Sequence, residues 1–238
     1  MRRDLKDLHV VLQAGGKGER LRNGAPLPKP LFTVAGMPII ERLLRQLAAA
    51  GARSATVITG YGADQVEAAV GSIAGLPKDL QLSFLRETAP RGNAGALALA
   101  PRSKPCLFCF ADLVTSIDFG RLASIHFERR AAATLASHYE SIQVRLGELT
   151  ADGDRVIAYR EKPLHRVLIA SGIAVFDPSV LELVPRDRPS GLSDVVQAAI
   201  DRGLVVQHWL HEAPWMDVNT PEDLEGARLW AAAAPRVA

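Results

Sequence analysis

Leu12-Gln13-Ala14-Gly15-Gly16-Lys17-Gly18-Glu19-Arg20-Leu21-Arg22, closed by Pro28-Lys29-Pro30, is the stretch on which the rest of the chain turns. An apolar run from His9 to Leu12 stops at three glycines within four positions, and cations follow at Lys17, Arg20, Arg22 and Lys29. Glycines let the backbone approach a ligand closely, so that successive N–H groups converge on phosphate oxygens while Arg and Lys neutralise the charge. The stretch reads as a phosphate cradle at the end of a buried strand; the plainer alternative is a glycine-rich turn. Two better-known loops are excluded. The dinucleotide fingerprint would run Gly16, Gly18 and then Leu21 where a third glycine is needed, and a P-loop would need Gly and Ser/Thr where Val11 and Gly18 stand.

Working outward, strand and helix alternate. Met37-Pro38-Ile39-Ile40 opens a helix in which Ile40, Leu43, Leu44 and Leu47 recur on one face up to Gly51. Ser54 to Thr59 reads as a β-branched strand, Ala63 to Val70 as a helix, and Leu80 to Leu85 as a strand. Ala94 to Ala100 reads as a small-residue helix, Pro105 to Ala111 as the most hydrophobic strand, and Phe119 to Arg130 as an amphipathic helix. Such alternation predicts an α/β fold, a mostly parallel sheet covered on both faces by helices, with ligands at the carboxyl ends of the strands. From Ala131 the pattern changes. Ala132–His138 and Ile142–Leu149 read as strands, Ala151-Asp152-Gly153-Asp154 as a hairpin turn before Arg155 to Tyr159, and Val167 to Phe176 as another strand, so antiparallel additions are expected. Leu192 to Asp201 is a predicted helix and Leu204 to His211 a strand. Thr220-Pro221-Glu222-Asp223 starts a last helix toward Trp230, and Ala231 to Ala238 is expected to fray.

The 238 residues are 48% hydrophobic and 23% charged, enough for one α/β domain with a proper core. Within it, the glycine loop falls in a first half of about 1–112 and the antiparallel additions in a second of about 113–238. Lys plus Arg number 28 against 26 Asp plus Glu, so a net charge of +2 does not advertise nucleic acid or anionic membrane as a partner. No apolar run is long enough to span a bilayer, and Met1-Arg2-Arg3-Asp4 opens no signal peptide, so a cytoplasmic location is expected. The two cysteines, Cys106 and Cys109, spell C-x-x-C inside an apolar strand, where residues three apart face opposite ways. They are expected to be buried structural thiols rather than a redox pair.

Two carboxylates stand out. Asp112 ends the apolar strand in Phe110-Ala111-Asp112, and Asp217 follows Trp215-Met216. Mg²⁺ in phosphoryl-transfer sites is held by one or two carboxylates plus substrate phosphates, which makes this pair the candidate metal site. The alternative is a pair of aspartates capping turns. Glu161-Lys162-Pro163 could bind hydroxyls and a phosphate, or be a surface ion pair. The six histidines show no metal-ligand spacing and are expected to be structural, and no Ser or Cys sits in a nucleophile elbow.

Gly15-Gly16-x-Gly18-x-Arg20-Leu21 with Pro28-Lys29-Pro30 resembles the signature of sugar-phosphate nucleotidylyltransferases, closest to the mannose and heptose 1-phosphate guanylyltransferases. The resemblance extends through five ordered motifs from Val10 to Ala227, and it implies a Rossmann-like three-layer nucleotide-diphospho-sugar transferase fold. It further implies transfer of a nucleotidyl group from an NTP to a sugar 1-phosphate, with Mg²⁺ as cofactor and pyrophosphate released. By the same resemblance, Ala14, Gly15, Gly16 and Gly18 hold the triphosphate, Arg20 steadies pyrophosphate and Lys29 contacts phosphate. Asp112 and Asp217 bind metal, Lys162 meets the sugar phosphate, Glu161 its hydroxyls, and backbone near Gly172 lines the sugar pocket. Glu87, five residues before Gly92, falls where the family reads the base; guanine offers adjacent N–H donors to a carboxylate, so GTP is favoured. The resemblance makes about 1–112 the nucleotide-binding half and about 113–238 the sugar-phosphate-binding half; the partners implied are NTP and sugar 1-phosphate, with self-association also open. Departures from the pattern are Gln13 for a small or aliphatic residue, Glu19 for threonine, Asn93 for threonine, Ala111 for glycine and Asn219 for glycine. Gln13 and Glu19 could alter contacts near the base.

A phosphate monoester is mostly ionised at neutral pH, its second pKa being about 6, so an attacking sugar phosphate requires no general base. Rivals are cytidylyl or uridylyl transfer to another sugar, polyol or choline phosphate, and a catalytically silent nucleotide-sugar-binding domain, which should have lost a metal aspartate or the loop arginine. A nicotinamide oxidoreductase is disfavoured by the missing third glycine.

Overall fold

The computed structural model describes residues 5–22 and 27–233, with Arg22 described in its backbone only. The opening Met1 to Asp4, the Arg22 cation and residues 234–238 of the expected frayed tail therefore lie outside the description. In chain order the elements are β1 (His9–Gln13), α1 (Glu19–Arg22), β2 (Thr33–Val34), β3 (Met37–Pro38), α2 (Ile39–Ala49), β4 (Ser54–Thr59), α3 (Ala63–Gly71) and β5 (Gln81–Arg86). They continue with β6 (Cys106–Phe110), β7 (Leu113–Thr115), α4 (Phe119–Glu128), β8 (Ala133–Gln143), β9 (Glu148–Asp152), β10 (Arg155–Arg160) and β11 (Leu164–Phe176). The last are α5 (Pro178–Leu181), α6 (Leu192–Asp201), β12 (Val206–Leu210), β13 (Trp215–Asp217) and α7 (Pro221–Ala233).

Seven strands form the central sheet in the order β12-β8-β11-β6-β1-β4-β5. β6, β1, β4 and β5 run parallel, β12 runs parallel to β8, and β11 is antiparallel to both its neighbours. Alternation along the buried strands sorts side chains to two cores, as a two-residue repeat requires. Val10, Leu12, Leu107 and Cys109 pack with α2, α3, α4 and α7 on one face, while Val11, Cys106 and Phe108 pack with α5 and α6 on the other. The cysteines are thus buried on opposite faces as expected, and burial pushes both thiols upward in pKa, with the Asp112 charge adding to the rise at Cys109.

Most predicted elements fall within a residue or two of their observed bounds. In α2, Pro38 precedes the helix rather than occupying its first turn, because Met37–Pro38 pairs with Thr33–Val34. Ala94 to Ala100 forms a 3-10 helix over Gly95–Leu99 rather than an α-helix. The expected strands Ala132–His138 and Ile142–Leu149 are corrected to one continuous β8 followed by β9. The partner explains the difference: β11 begins at Leu164, and its first residues pair Leu164 with Gln143 through Leu168 with Tyr139. The hairpin turn lies between β9 and β10 as predicted. The last helix runs on to Ala233, so Ala231 to Ala233 do not fray.

α7 begins with reciprocal capping that the sequence suggests. Thr220 Oγ1 accepts from the Asp223 N–H at 3.2 Å, and Asp223 Oδ2 accepts from the N–H groups of Thr220 and Asn219 at 2.8 and 2.9 Å. This fixes the loop that carries Asp217 and Asn219. Among the described residues no helix is long and apolar enough to cross a membrane.

Candidate active site

The glycine loop leaves β1 at the carboxyl end of the parallel strands and is folded onto the segments beside it. Gly18 has φ +58°, and a Cβ there would stand 2.9 Å from Lys29 Cβ. Glycine is required at that position by both conformation and space. At Gly15 a Cβ would stand 2.6 Å from Glu87 Oε2, so the loop also touches that carboxylate. Ala14 is buried, its N–H bonded to the Ile58 carbonyl at 2.8 Å, which ties the loop to β4.

Asp112 and Asp217 are brought together by register. β7 pairs antiparallel with β13, setting Asp217 opposite Leu113, and the Val218 N–H donates to the Asp112 carbonyl at 3.1 Å. Lys29, only 6% exposed, reaches between them. Its ammonium donates to Asp112 Oδ2 at 2.6 Å and to Asn219 Oδ1 at 2.7 Å, and lies 3.7 Å from Asp217 Oδ1. Burial pushes the Asp112 carboxyl above the ordinary aspartate range, Lys29 pulls it back, and the Asp217 charge adds to the rise. Arg20 is exposed, and its Nη2 points toward Asn219 Oδ1 at 3.5 Å. Asn219, which replaces a glycine in the resemblance, thus joins both loop cations to the Asp217 segment.

The described residues hold no cluster of three or more His, Cys, Asp or Glu fit for a metal. A cation here would rest on Asp112 and Asp217, with phosphate and water completing its shell, as Mg²⁺ accepts. Asp217 Oδ1 is shielded from solvent and has no hydrogen-bond partner, as a side chain awaiting a cation would be.

Beside this cluster opens a cavity of about 610 Å³, lined among others by Gln13, Gly15, Gly16, Glu87, Gly92 and Asp112. Gly92 has φ +78°, and a Cβ there would press on the Ser190 carbonyl at 2.4 Å. Asn93 is put to structural use: its Oδ1 accepts from the Leu192 N–H at 2.8 Å at the start of α6. Gly172, with φ +70°, lies against the Phe110 ring, itself part of the cavity wall.

Arg20, Lys29, Asp112, Asp217, the glycine loop, Glu87 and Gly92 therefore gather at one end of the sheet. Glu161 and Lys162 are not drawn into that cluster. They are exposed at the approach to β11 and do not line the cavity; Glu161 accepts from the Tyr159 hydroxyl at 2.7 Å, and Lys162 has φ +45°. Asn219 is read from the sequence only as a departure from a glycine. Gln13 is expected there to alter contacts near the base, but its partner is not foreseen: its Nε2 donates to Glu87 Oε2 at 3.0 Å. The histidines are used in packing: His9 bonds Ser54 and Thr56, His126 bonds Thr134 and Asp177, and Ser171 bridges His138 and His211.

The architecture is shared with solved structures. HddC from Yersinia pseudotuberculosis, in complex with GMP-PN, superposes with a TM-score of 0.73 at 22% identity, covering 94% of this chain and 99% of that one. The inositol-1-phosphate CTP transferase of T. maritima superposes with a TM-score of 0.70 at 16% identity, covering 96% and 98%. These likenesses show the fold. Residues 9–232 match the nucleotidyl transferase family, and the chain belongs to it. Mannose-1-phosphate guanylyltransferase of Mycobacterium tuberculosis is 31% identical over 234 residues, which cover 90% of this chain and 62% of that protein. Glucose-1-phosphate thymidylyltransferase of Streptomyces antibioticus is 29% identical, covering 91% and 64%. The chain thus spans under two thirds of the length of these relatives.

Proposed function

We propose that this chain transfers a nucleotidyl group from an NTP, preferentially GTP, to a sugar 1-phosphate, releasing pyrophosphate. The observation that carries the reading is the buried Lys29 ammonium between Asp112 and Asp217, next to a glycine loop and a cavity of about 610 Å³, roomy enough for a nucleotide. Mannose-1-phosphate guanylyltransferase among the relatives supports guanine and a hexose phosphate.

In this reaction an oxygen of the sugar phosphate attacks the α-phosphorus in line, and the bond to the pyrophosphate oxygen breaks. Backbone N–H groups of Gly15, Gly16 and Gly18 hold the triphosphate, with Ala14 anchoring the loop to β4. Arg20 and Lys29 meet the charge that grows on the departing pyrophosphate. Asp112 and Asp217 would hold Mg²⁺, which when bound neutralises phosphate charge. Glu161 and Lys162 stand outside the cluster, and in this reading they meet the part of the acceptor that projects beyond the cavity, Lys162 at its phosphate, while backbone at Gly172 lines its pocket. Glu87 and Gly92 border the base. NTP as the donor suits a cytoplasmic enzyme.

The test is pyrophosphate release over a matrix of the four NTPs and a panel of sugar 1-phosphates. Release that requires both substrates and is fastest with GTP is expected. Release with no dependence on any sugar 1-phosphate, or only with polyol or choline phosphates, would overturn the assignment of the acceptor.

A further inference from the structure

Gln13 is the last residue of β1, and Glu87 is the first residue after β5, two strands away across β4. Both backbones are pinned: the Gln13 carbonyl accepts from the Ala111 N–H at 3.0 Å, and the Glu87 N–H donates to the Thr59 carbonyl at 2.8 Å. Their side chains meet where Gln13 Nε2 donates to Glu87 Oε2 at 3.0 Å. An ionised carboxylate only accepts, so the amide must present its NH₂ there, and its orientation is settled. The second oxygens, Gln13 Oε1 and Glu87 Oε1, are shielded from solvent and have no partner. A buried acceptor left unpaired is unfavourable unless something answers it. Both residues line the cavity, and Gly15 packs against the pair from the phosphate side.

We infer that Gln13 and Glu87 choose the base as one unit: the Gln13 amide pins one carboxylate oxygen, and the two unanswered acceptors, shielded until the side chains turn toward an entering base, call for adjacent N–H donors. Among the common bases only guanine carries two neighbouring donor groups, N1–H and N2–H₂, on one edge. Uracil and thymine offer a single N3–H between two carbonyls, and adenine and cytosine set an amino group beside a ring-nitrogen acceptor. An acceptor-rich wall therefore favours guanine and opposes the other four. Gln13 is a specificity and positioning residue, not a catalytic one. The inference rests on the reading of this cavity as the NTP base site.

The experiment compares GTP, ITP, UTP and dTTP with wild type, Gln13→Met, Glu87→Gln and the exchange Gln13→Glu/Glu87→Gln. Both kcat/KM and equilibrium binding of each nucleotide are measured, with the melting temperature as the check on folding. ITP lacks only N2–H₂. Each single substitution is expected to lower the GTP-over-UTP preference, roughly 5- to 150-fold if one buried acceptor or its positioning is lost. The exchange rebuilds an amide–carboxylate pair with the roles reversed, and should recover part of the preference, so that the two changes are not additive. Gln13→Met at wild-type melting temperature with an unchanged GTP preference would overturn the inference, as would an exchange no better than the sum of its parts. If Gln13→Met does not fold, Glu87→Gln and the exchange decide by the same criteria. If no NTP is turned over with any sugar 1-phosphate, nucleotidyl transfer is what fails. Binding then still decides this inference, and wild type that binds GTP no better than UTP overturns it.

Discussion

At the scale of single residues, Lys29 shows how much the site depends on charge already present in the fold. Its ammonium sits where the two candidate metal carboxylates converge, and so competes with any cation they bind. Lys29→Met should act in opposite directions on two measurements. The kcat should fall, on the order of tenfold to a hundredfold, through the lost phosphate charge. The affinity of the nucleotide-free protein for Mn²⁺, followed by electron paramagnetic resonance, should rise. A fall in both would mean that Lys29 holds the site together rather than competing in it. Asp112→Asn and Asp217→Asn should each lower kcat on the order of a hundredfold or more while leaving the circular dichroism spectrum unchanged. The double variant should be little worse than either, since both act through one site. Full Mg²⁺-dependent turnover in either single variant would remove the metal assignment. Lys29, Asp112 and Asp217 could be singled out in the sequence because each sits in a short motif, Asp112 and Asp217 at strand ends and Lys29 between two prolines. The contacts that Gln13 and Asn219 make could not, because their partners Glu87 and Lys29 lie 74 and 190 residues away and meet them only through the tertiary fold.

At the scale of elements, the short ladder between β7 and β13 does the assembling, and it is the kind of feature that periodicity does not reveal. Three-residue strands carry too little pattern to be read, and their pairing depends on the chain returning after about a hundred residues of other structure. β8 fails to be read for a related reason. Its outer half, Tyr139 to Gln143, is largely exposed, so its extended form follows from pairing with β11 rather than from a buried face. β6 was legible because burial on both faces writes a continuous apolar run. That burial makes a prediction for Cys106 and Cys109. Native protein should leave both thiols unreactive toward a chromogenic disulfide at neutral pH, and both should react after denaturation. Fast native reaction of either would show that β6 is more accessible than its packing allows.

At the scale of the whole molecule, buried imidazoles link stability to pH. Burial is the main cause that lowers the pKa of His9, His126 and His211 below the ordinary histidine value; nearby Lys104 and His138 add to the effect at His9 and His211, while Asp177 opposes it at His126. A histidine depressed in the fold takes up its proton more readily when unfolded. Its contribution is therefore complete above about pH 6.5 and is lost as pH falls through that value toward the depressed ones. The urea midpoint should drop between pH 7.5 and 5.5, and less steeply in His126→Gln; a midpoint that rises on acidification would contradict this. The alternating helices and strands, the two-faced core and the strand-end loop were all readable from the chain, and together they place one nucleotide-sized cavity beside one pair of carboxylates. The central claim is that a nucleotidyl group is transferred intact at that place. Its most direct test supplies GTP labelled at the α-phosphorus with mannose 1-phosphate and other sugar 1-phosphates, and follows the label through wild type and Asp217→Asn. The account predicts label in a phosphatase-resistant nucleotide sugar, with an equal amount of pyrophosphate, in wild type and far less in the variant. Label recovered only in GTP, GMP or GDP, or equal transfer by both proteins, would contradict it.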